Sequence, residues 1–156
     1  MRTAVISDIH GNLEALEAVL KRIEKERVDE IVCLGDIVGY GPNPNECLSL
    51  IRSTCVLVVL GNHDEWVLRR PDHSRVPEAV WQSILWTAGI VEDQHKVWIS
   101  GLPLIVHRDR EIFVQVVELV CHYAPELAQA AVQSVSKVLA SQQGHSDRSV
   151  QIYFLL

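Results

Sequence analysis

The sequence predicts an α/β fold whose N-terminal half is a largely parallel βαβαβ unit. Three observations carry that prediction. Short apolar, β-branched runs alternate with amphipathic stretches of helical period over the first sixty residues. Each apolar run stops at a polar cluster containing Gly or Asp. The clusters recur at the interval of one βαβ unit, roughly 30 residues. With 156 residues, 48% of them apolar and 22% charged, the chain is long enough for one well-filled core, and a single domain is expected over residues 1–156. Disordered and fibrous classes are excluded by the same composition.

Residues 3–7 form the first expected strand, β-branched and apolar, stopped by Asp8. A helix follows over 13–27, because Leu13, Leu16, Leu20 and Ile23 recur at three- and four-residue steps. Asn12 is its expected N-cap, and Glu14 and Glu17 suit its positive end. The second strand is expected over 30–34, ending at Gly35-Asp36. Asn43-Pro44 opens the next helix, with Pro at the first helical position and Cys47, Leu48, Leu50 and Ile51 as its apolar residues. Residues 55–60 are wholly apolar and read as a strand buried on both faces, ended by Gly61. Because the crossovers carry helices, the strands run parallel with right-handed connections.

Beyond this unit a helix is expected over 77–89 and a further helical turn over Asp93–Ser100. Residues 104–122 read as a hairpin around the polar tip 107–111. Another helix is expected from 126 to about 141, and a last strand over 149–156.

Charge and cysteine content narrow the function. Fourteen basic against twenty acidic residues leave a net charge of −6, so general nucleic-acid binding is not expected. No apolar run approaches the roughly 18 residues of a membrane span, and the first ten residues lack a secretory apolar region. The four cysteines show no C-x-x-C spacing and read mainly as small hydrophobes, for which a reducing cytoplasm is the simplest expected setting.

Three polar clusters stand at the C-terminal ends of the first three strands: Asp8-Ile9-His10-Gly11-Asn12, Gly35-Asp36 and Gly61-Asn62-His63-Asp64. Asp8 and Asp36 are 28 residues apart, and Asp36 and Asn62 are 26 apart. Neighbouring parallel strands therefore deliver all three clusters to one sheet edge, where ligands of open α/β sheets bind. Carboxylate, imidazole and amide oxygen together suit Mn, Fe or Zn. A carboxylate on the middle cluster, Asp36, could bridge two such ions and so clamp a phosphoryl group. Any one cluster alone is equally an ordinary helix start, loop or turn; the register of all three is the signal.

D-x-H at Asp8/His10, G-D at Gly35/Asp36 and G-N-H-D at Gly61–Asp64 resemble the calcineurin-like metallophosphoesterases. Residues 35–52, GDIVGYGPNPNECLSLIR, are similar to a bacterial and archaeal branch of small phosphoesterases, as are Trp86-Thr87 and Gly101-Leu102-Pro103. The resemblance is strong over residues 1–103 and weaker afterwards. It implies a layered α/β sandwich holding two divalent ions, Mn, Fe, Zn or Ni, with Mn favoured. It assigns Asp8 and His10 to the first ion, Asp36 as the bridge and Asn62 to the second. His63 stays off the ions and protonates the leaving oxygen or contacts the phosphate. His122 fits the His that follows a later strand, and Gly144-His145-Ser146-Asp147 fits the G-H-x-H loop, with Asp147 in place of the final His. The residues before this loop are polar, and about nine residues follow it, so the C-terminal strands are expected to be incomplete. Gly144 as a helix cap, with His145 solvated, is the alternative. An edge left open would invite homodimerisation.

The implied activity is hydrolysis of a small phosphate mono- or diester by a metal-bridging hydroxide. The protein phosphatases of this family carry G-D-x-x-D-R-G; Gly39 and Tyr40 replace that carboxylate and the phosphate-binding Arg, which argues against a protein phosphatase. Arg69, Arg70 and Arg75, in an expected loop over 65–78, are candidate substrate contacts or plain solvated charges. A catalytically weak scaffold module of the same fold, or a product with an incomplete site, is the rival reading. Gly39-Tyr40-Gly41 fails as a dinucleotide loop, since Asn43-Pro44 follows. His73, His95 and His107 are expected at the surface. Trp66, Trp81, Trp86 and Trp98 are expected in core or lid packing.

Overall fold

The computed structural model describes residues 2–108, 111–114 and 149–154. The first strand, β1 (Arg2–Ser7), leads into α1 (Leu13–Glu26), then β2 (Glu30–Cys33), α2 (Pro44–Thr54) and β3 (Leu57–Val58). Next come α3 (Asn62–Leu68), one 3-10 turn at His73–Arg75, α4 (Glu78–Ile90) and α5 (Asp93–Ser100). The described part closes with β4 (Ile105–Arg108), β5 (Glu111–Val114) and β6 (Ser149–Phe154).

The four-stranded sheet has the order β3-β2-β1-β6 with its pairings parallel, as the alternating pattern predicts for β1 to β3, and β4 and β5 form a separate antiparallel pair. Thr3 to Ser7 are all buried, the burial of a central strand covered on both faces. The larger core lies on the helical side, where Ala4, Ile6 and Cys33 meet Leu16 and Ile23 of α1 and Cys47, Leu48 and Ile51 of α2. On the opposite face Val32 and Val59 pack with Leu34, Leu57 and Val106. Strand side chains alternate, so one short sheet serves two cores.

Helix ends follow local chemistry. Asn12 caps α1 by accepting the Ala15 N–H at 3.0 Å. That helix stops at Arg27, which turns left-handed (φ 52°) and returns its N–H to the Glu24 carbonyl. Pro44 opens α2, where its missing N–H costs nothing. Cys33 and Cys47 are buried and all three described cysteines are reduced; burial pushes the Cys47 thiol up to about 12, which makes it an inert packing group.

Several expectations need correction. The third strand forms a ladder only over Leu57–Val58, and Val56 is 66% exposed. It is the terminal strand of the sheet, and Cys55 is taken by the end of α2. Asn62–Leu68 is helix where a turn and loop were expected. The hairpin exists, but His107, Arg108 and Glu111 belong to its paired strands rather than to its tip. The expected final strand is present over Ser149–Phe154 and pairs in parallel with β1, with Ser149 opposite Arg2 and Phe154 opposite Ser7. His95 is buried, not at the surface: its Nε2 lies 3.3 Å from Ser49 Oγ under α5. No helix among the described residues is long and apolar enough to cross a membrane.

Candidate metal centre

The three polar clusters meet where the sequence places them, beyond the C-terminal ends of β1, β2 and β3. The loops after β1 and β2 are laced together by backbone hydrogen bonds. Asp8 N–H donates to Gly35 O (3.3 Å), His10 N–H to Asp36 O (2.9 Å) and Gly11 N–H to Ile37 O (2.8 Å). In return Gly41 N–H donates to His10 O (2.7 Å) and Asn43 N–H to Gly11 O (3.0 Å). The third loop joins through side chains: Asp36 Oδ1 accepts the His63 N–H at 2.9 Å. Gly61 lies so close to Asp36 that an added Cβ would strike its backbone N and Oδ1. Asn62 follows directly, with its amide oxygen buried.

Asp8, His10 and Asp36 each bring one ligand atom within 4.8 Å of the others. His10 Nε2 stands 3.8 Å from Asp8 Oδ1. That is too long for a hydrogen bond and within the span of two donors each about 2.1 Å from a shared ion. The Nδ1 side of the His10 ring is 3.2 Å from the Val38 carbonyl, which accepts its N–H and so leaves Nε2 as the lone-pair donor. All three residues are left-handed, with φ of 59°, 50° and 52°. Each such non-glycine residue costs roughly 1–2 kcal/mol. Five non-glycine residues among those described have positive φ, and these three are among them, so the strain is concentrated at the cluster. A donor set of two carboxylates and one imidazole, with ligand atoms within 4.8 Å of one another, fits a divalent ion.

His63 is 4% exposed and meets three rings at steep angles, with interplanar angles of 77°, 52° and 51°. Its centroid lies 4.8 Å from that of His10, 4.9 Å from Tyr40 and 4.6 Å from Trp66. Burial first, and then the neighbouring His10, push its pKa down to about 3. The ring is therefore neutral at pH 7 and offers an N–H.

Asp64 was part of the motif without a role, and the structure supplies one. Its Oδ1 accepts the N–H groups of Ile37 (2.9 Å) and Val38 (3.1 Å), and its Oδ2 accepts that of Gly61 (3.1 Å). One fully buried carboxylate thus pins the second loop to the third. Burial raises its pKa to about 6 against the lowering pull of those three donors. Only the Gly61 contact was legible in the sequence: Asp three residues after Gly61, opening a helix, is half of a capping box. Tyr40, anchored by its N–H to Ser83 Oγ at 2.9 Å, is a second residue at the site that was given no part. Arg69, Arg70 and Arg75 are exposed, and Arg75 pairs with Asp72 at 3.7 Å. His122, His145 and Asp147 lie outside the described residues.

Comparison with known proteins agrees with this geometry. The family model described as calcineurin-like phosphoesterase matches residues 1–134. An uncharacterized protein of Methanocaldococcus jannaschii is 47% identical over 106 residues, which is 68% of this chain and 44% of that protein. A symmetrical bis(5'-nucleosyl)-tetraphosphatase of Aliivibrio fischeri is 34% identical over 72% of this chain and 43% of its own length. The crystal structure of a metallophosphoesterase from Sphaerobacter thermophilus superposes with a TM-score of 0.57 at 39% identity, covering 68% of this chain and 42% of that one. The chain spans less than half the length of each of these proteins.

Proposed function

Because the chain belongs to the calcineurin-like phosphoesterase family, we propose that it hydrolyses a small phosphate mono- or diester using two divalent ions at the sheet edge. The observation that carries this is the cluster of Asp8, His10 and Asp36, whose ligand atoms lie within 4.8 Å of one another on strained backbone. In this reading Asp8 and His10 hold one ion, Asp36 bridges, and Asn62 turns its amide oxygen to the second. The resemblance assigns the remaining ligands to His122, His145 and Asp147, with residues 1–156 acting as one domain. The mixture of carboxylate, imidazole and amide donors suits Mn, Fe or Zn, and the resemblance favours Mn among them.

What divalent ions supply in such a site is charge neutralisation on the phosphoryl oxygens and a water acidified toward neutrality. The protein's own share is positional. Asp64 fixes the Asp36 loop, and Val38 fixes the His10 tautomer. His63, neutral and buried, directs an N–H at the departing or an equatorial oxygen. Relatives named as bis(5'-nucleosyl)-tetraphosphatases support a substrate of nucleotide size.

The test is metal-dependent turnover. Protein stripped with chelator and reloaded with Mn is expected to bind two ions per chain and to regain hydrolysis of bis-p-nitrophenyl phosphate or p-nitrophenyl phosphate. Asp36→Asn should lose both. His122→Ala, His145→Ala and Asp147→Ala are expected to lower the ion count, and any of them that leaves it unchanged is not a ligand. Ion binding without turnover would return the chain to the scaffold reading. No bound ion and no effect of chelation would overturn the metal centre itself.

A further inference from the structure

We propose that Tyr40 determines substrate specificity at this site, its ring receiving an aromatic group carried by the phosphate ester. The proposal rests on the phosphoesterase reading above and deepens it. Tyr40 lies four residues after Asp36 on the same loop. Its backbone is left-handed, with φ 57°, and follows Gly39 at φ 103°. A bulky side chain in that region persists only where its surroundings over-determine it. Here they do. The Tyr40 N–H donates to Ser83 Oγ of α4 at 2.9 Å, and the next N–H, of Gly41, donates to His10 O at 2.7 Å.

The consequence is the placement of the ring. It meets the imidazoles of both His10 and His63, with centroids 4.9 Å away in each case and planes tilted by 64° and 52°. His63 is 4% exposed beneath this cover, whereas Tyr40 remains 49% exposed. One part of the ring is thus fixed on the candidate metal ligand and the candidate leaving-group contact, and the rest forms the rim of the site. A half-open aromatic with its backbone fixed suits ring-on-ring recognition.

The experiment compares phenylphosphonate with methylphosphonate, binding to the Mn-loaded full chain by isothermal titration. The two ligands share the charged head and differ in the ring. Wild type is expected to prefer the phenyl compound. Tyr40→Leu and Tyr40→Asn should reduce that preference about 3- to 10-fold, and Tyr40→Phe should keep it. The Asn variant tolerates the left-handed backbone and guards against misfolding, which a melting curve checks. The proposal is overturned if wild type shows no ring preference, if neither phosphonate binds, or if Leu and Asn leave the ratio unchanged. Loss of the ratio in Tyr40→Phe would also overturn it, by assigning the role to the hydroxyl. The readout needs no turnover. Ring preference without hydrolysis would sink the phosphoesterase reading and leave Tyr40 in place, and hydrolysis without ring preference would do the reverse.

Discussion

Asp64 and His10 are joined through a single residue. Val38 gives its N–H to Asp64 Oδ1 at 3.1 Å and accepts the His10 Nδ1–H on its carbonyl, across 3.2 Å. A buried carboxylate on the third loop therefore sets the tautomer and orientation of a candidate ligand on the first. Asp64→Ala would strand three buried N–H groups, each worth about 1–3 kcal/mol when unmet. We expect a loss of roughly 3 kcal/mol or more in urea unfolding, and an affinity for Mn lower by about 10- to 100-fold in the folded fraction. Asp64→Asn should fall between, because its amide nitrogen would face one donor. Wild-type Mn affinity in both variants would break the proposed chain of contacts.

His63 is buried, neutral at pH 7 and packed against His10. A hydrogen bond to a departing oxygen matters most when that oxygen is basic. His63→Asn should thus lower kcat for an alkyl phosphate ester by about 10²-fold, the lower end for losing one hydrogen-bond donor to a developing oxyanion. A p-nitrophenyl ester, whose leaving group needs little help, should lose only a few-fold. Equal losses on both would place His63 on the phosphate and not on the leaving group.

Gly39 has room for no side chain. At φ 103° an added Cβ would lie 2.6 Å from His63 Nδ1 and 3.5 Å from His10 Nδ1. Gly39→Ala therefore combines backbone strain of about 1–3 kcal/mol with displacement of the His63 ring. The expected result is a lower melting midpoint together with a lower kcat. Unchanged values for both would mean that the loop relaxes freely and is not held as described.

Glu30 links the hairpin to the sheet. Arg108 donates to it twice, Nη1 to Oε2 at 2.9 Å and Nη2 to Oε1 at 2.6 Å, and Thr3 Oγ1 adds a third donor at 2.8 Å. The Arg108 hydrogen bonds hold its carboxyl below the ordinary value of 4.5, burial opposing them. The depressed folded-state pKa means that the stability from this ionised group is complete above about 4.5 and is lost as pH falls through the folded value. Glu30→Gln should accordingly be less stable than wild type at pH 7, by about 1–2 kcal/mol. Titrating both proteins toward acid should bring their urea midpoints together, and a gap that persisted or widened in acid would refute the linkage.

The elements readable in the sequence were those whose periodicity had no competitor. The helix of Leu16 and Ile23, the run from Thr3 to Ser7 and the Pro44 start all stand within a residue or two of expectation. One failure arises because apolar content does not report position in the sheet. Residues 55–60 look like a central strand by composition, yet only Leu57–Val58 pair, as the terminal strand, and Val56 is left open. His95 looked solvated among polar neighbours in sequence, but the face of α5 it occupies turns inward toward Ser49 of α2.

By itself the sequence determined that Asp8, His10, Asp36 and Asn62 would gather at one edge, because parallel strands with helical crossovers return each loop to the same end of the sheet. It also carried the family, through residue types at set spacings. Only the tertiary structure decided how those groups are held: left-handed backbone at three of them, Val38 orienting His10, and Asp64 and Tyr40 drawn in without an assigned part. Those relationships depend on where N–H groups and rings from separate loops fall once the sheet is packed, and no one-dimensional spacing encodes them.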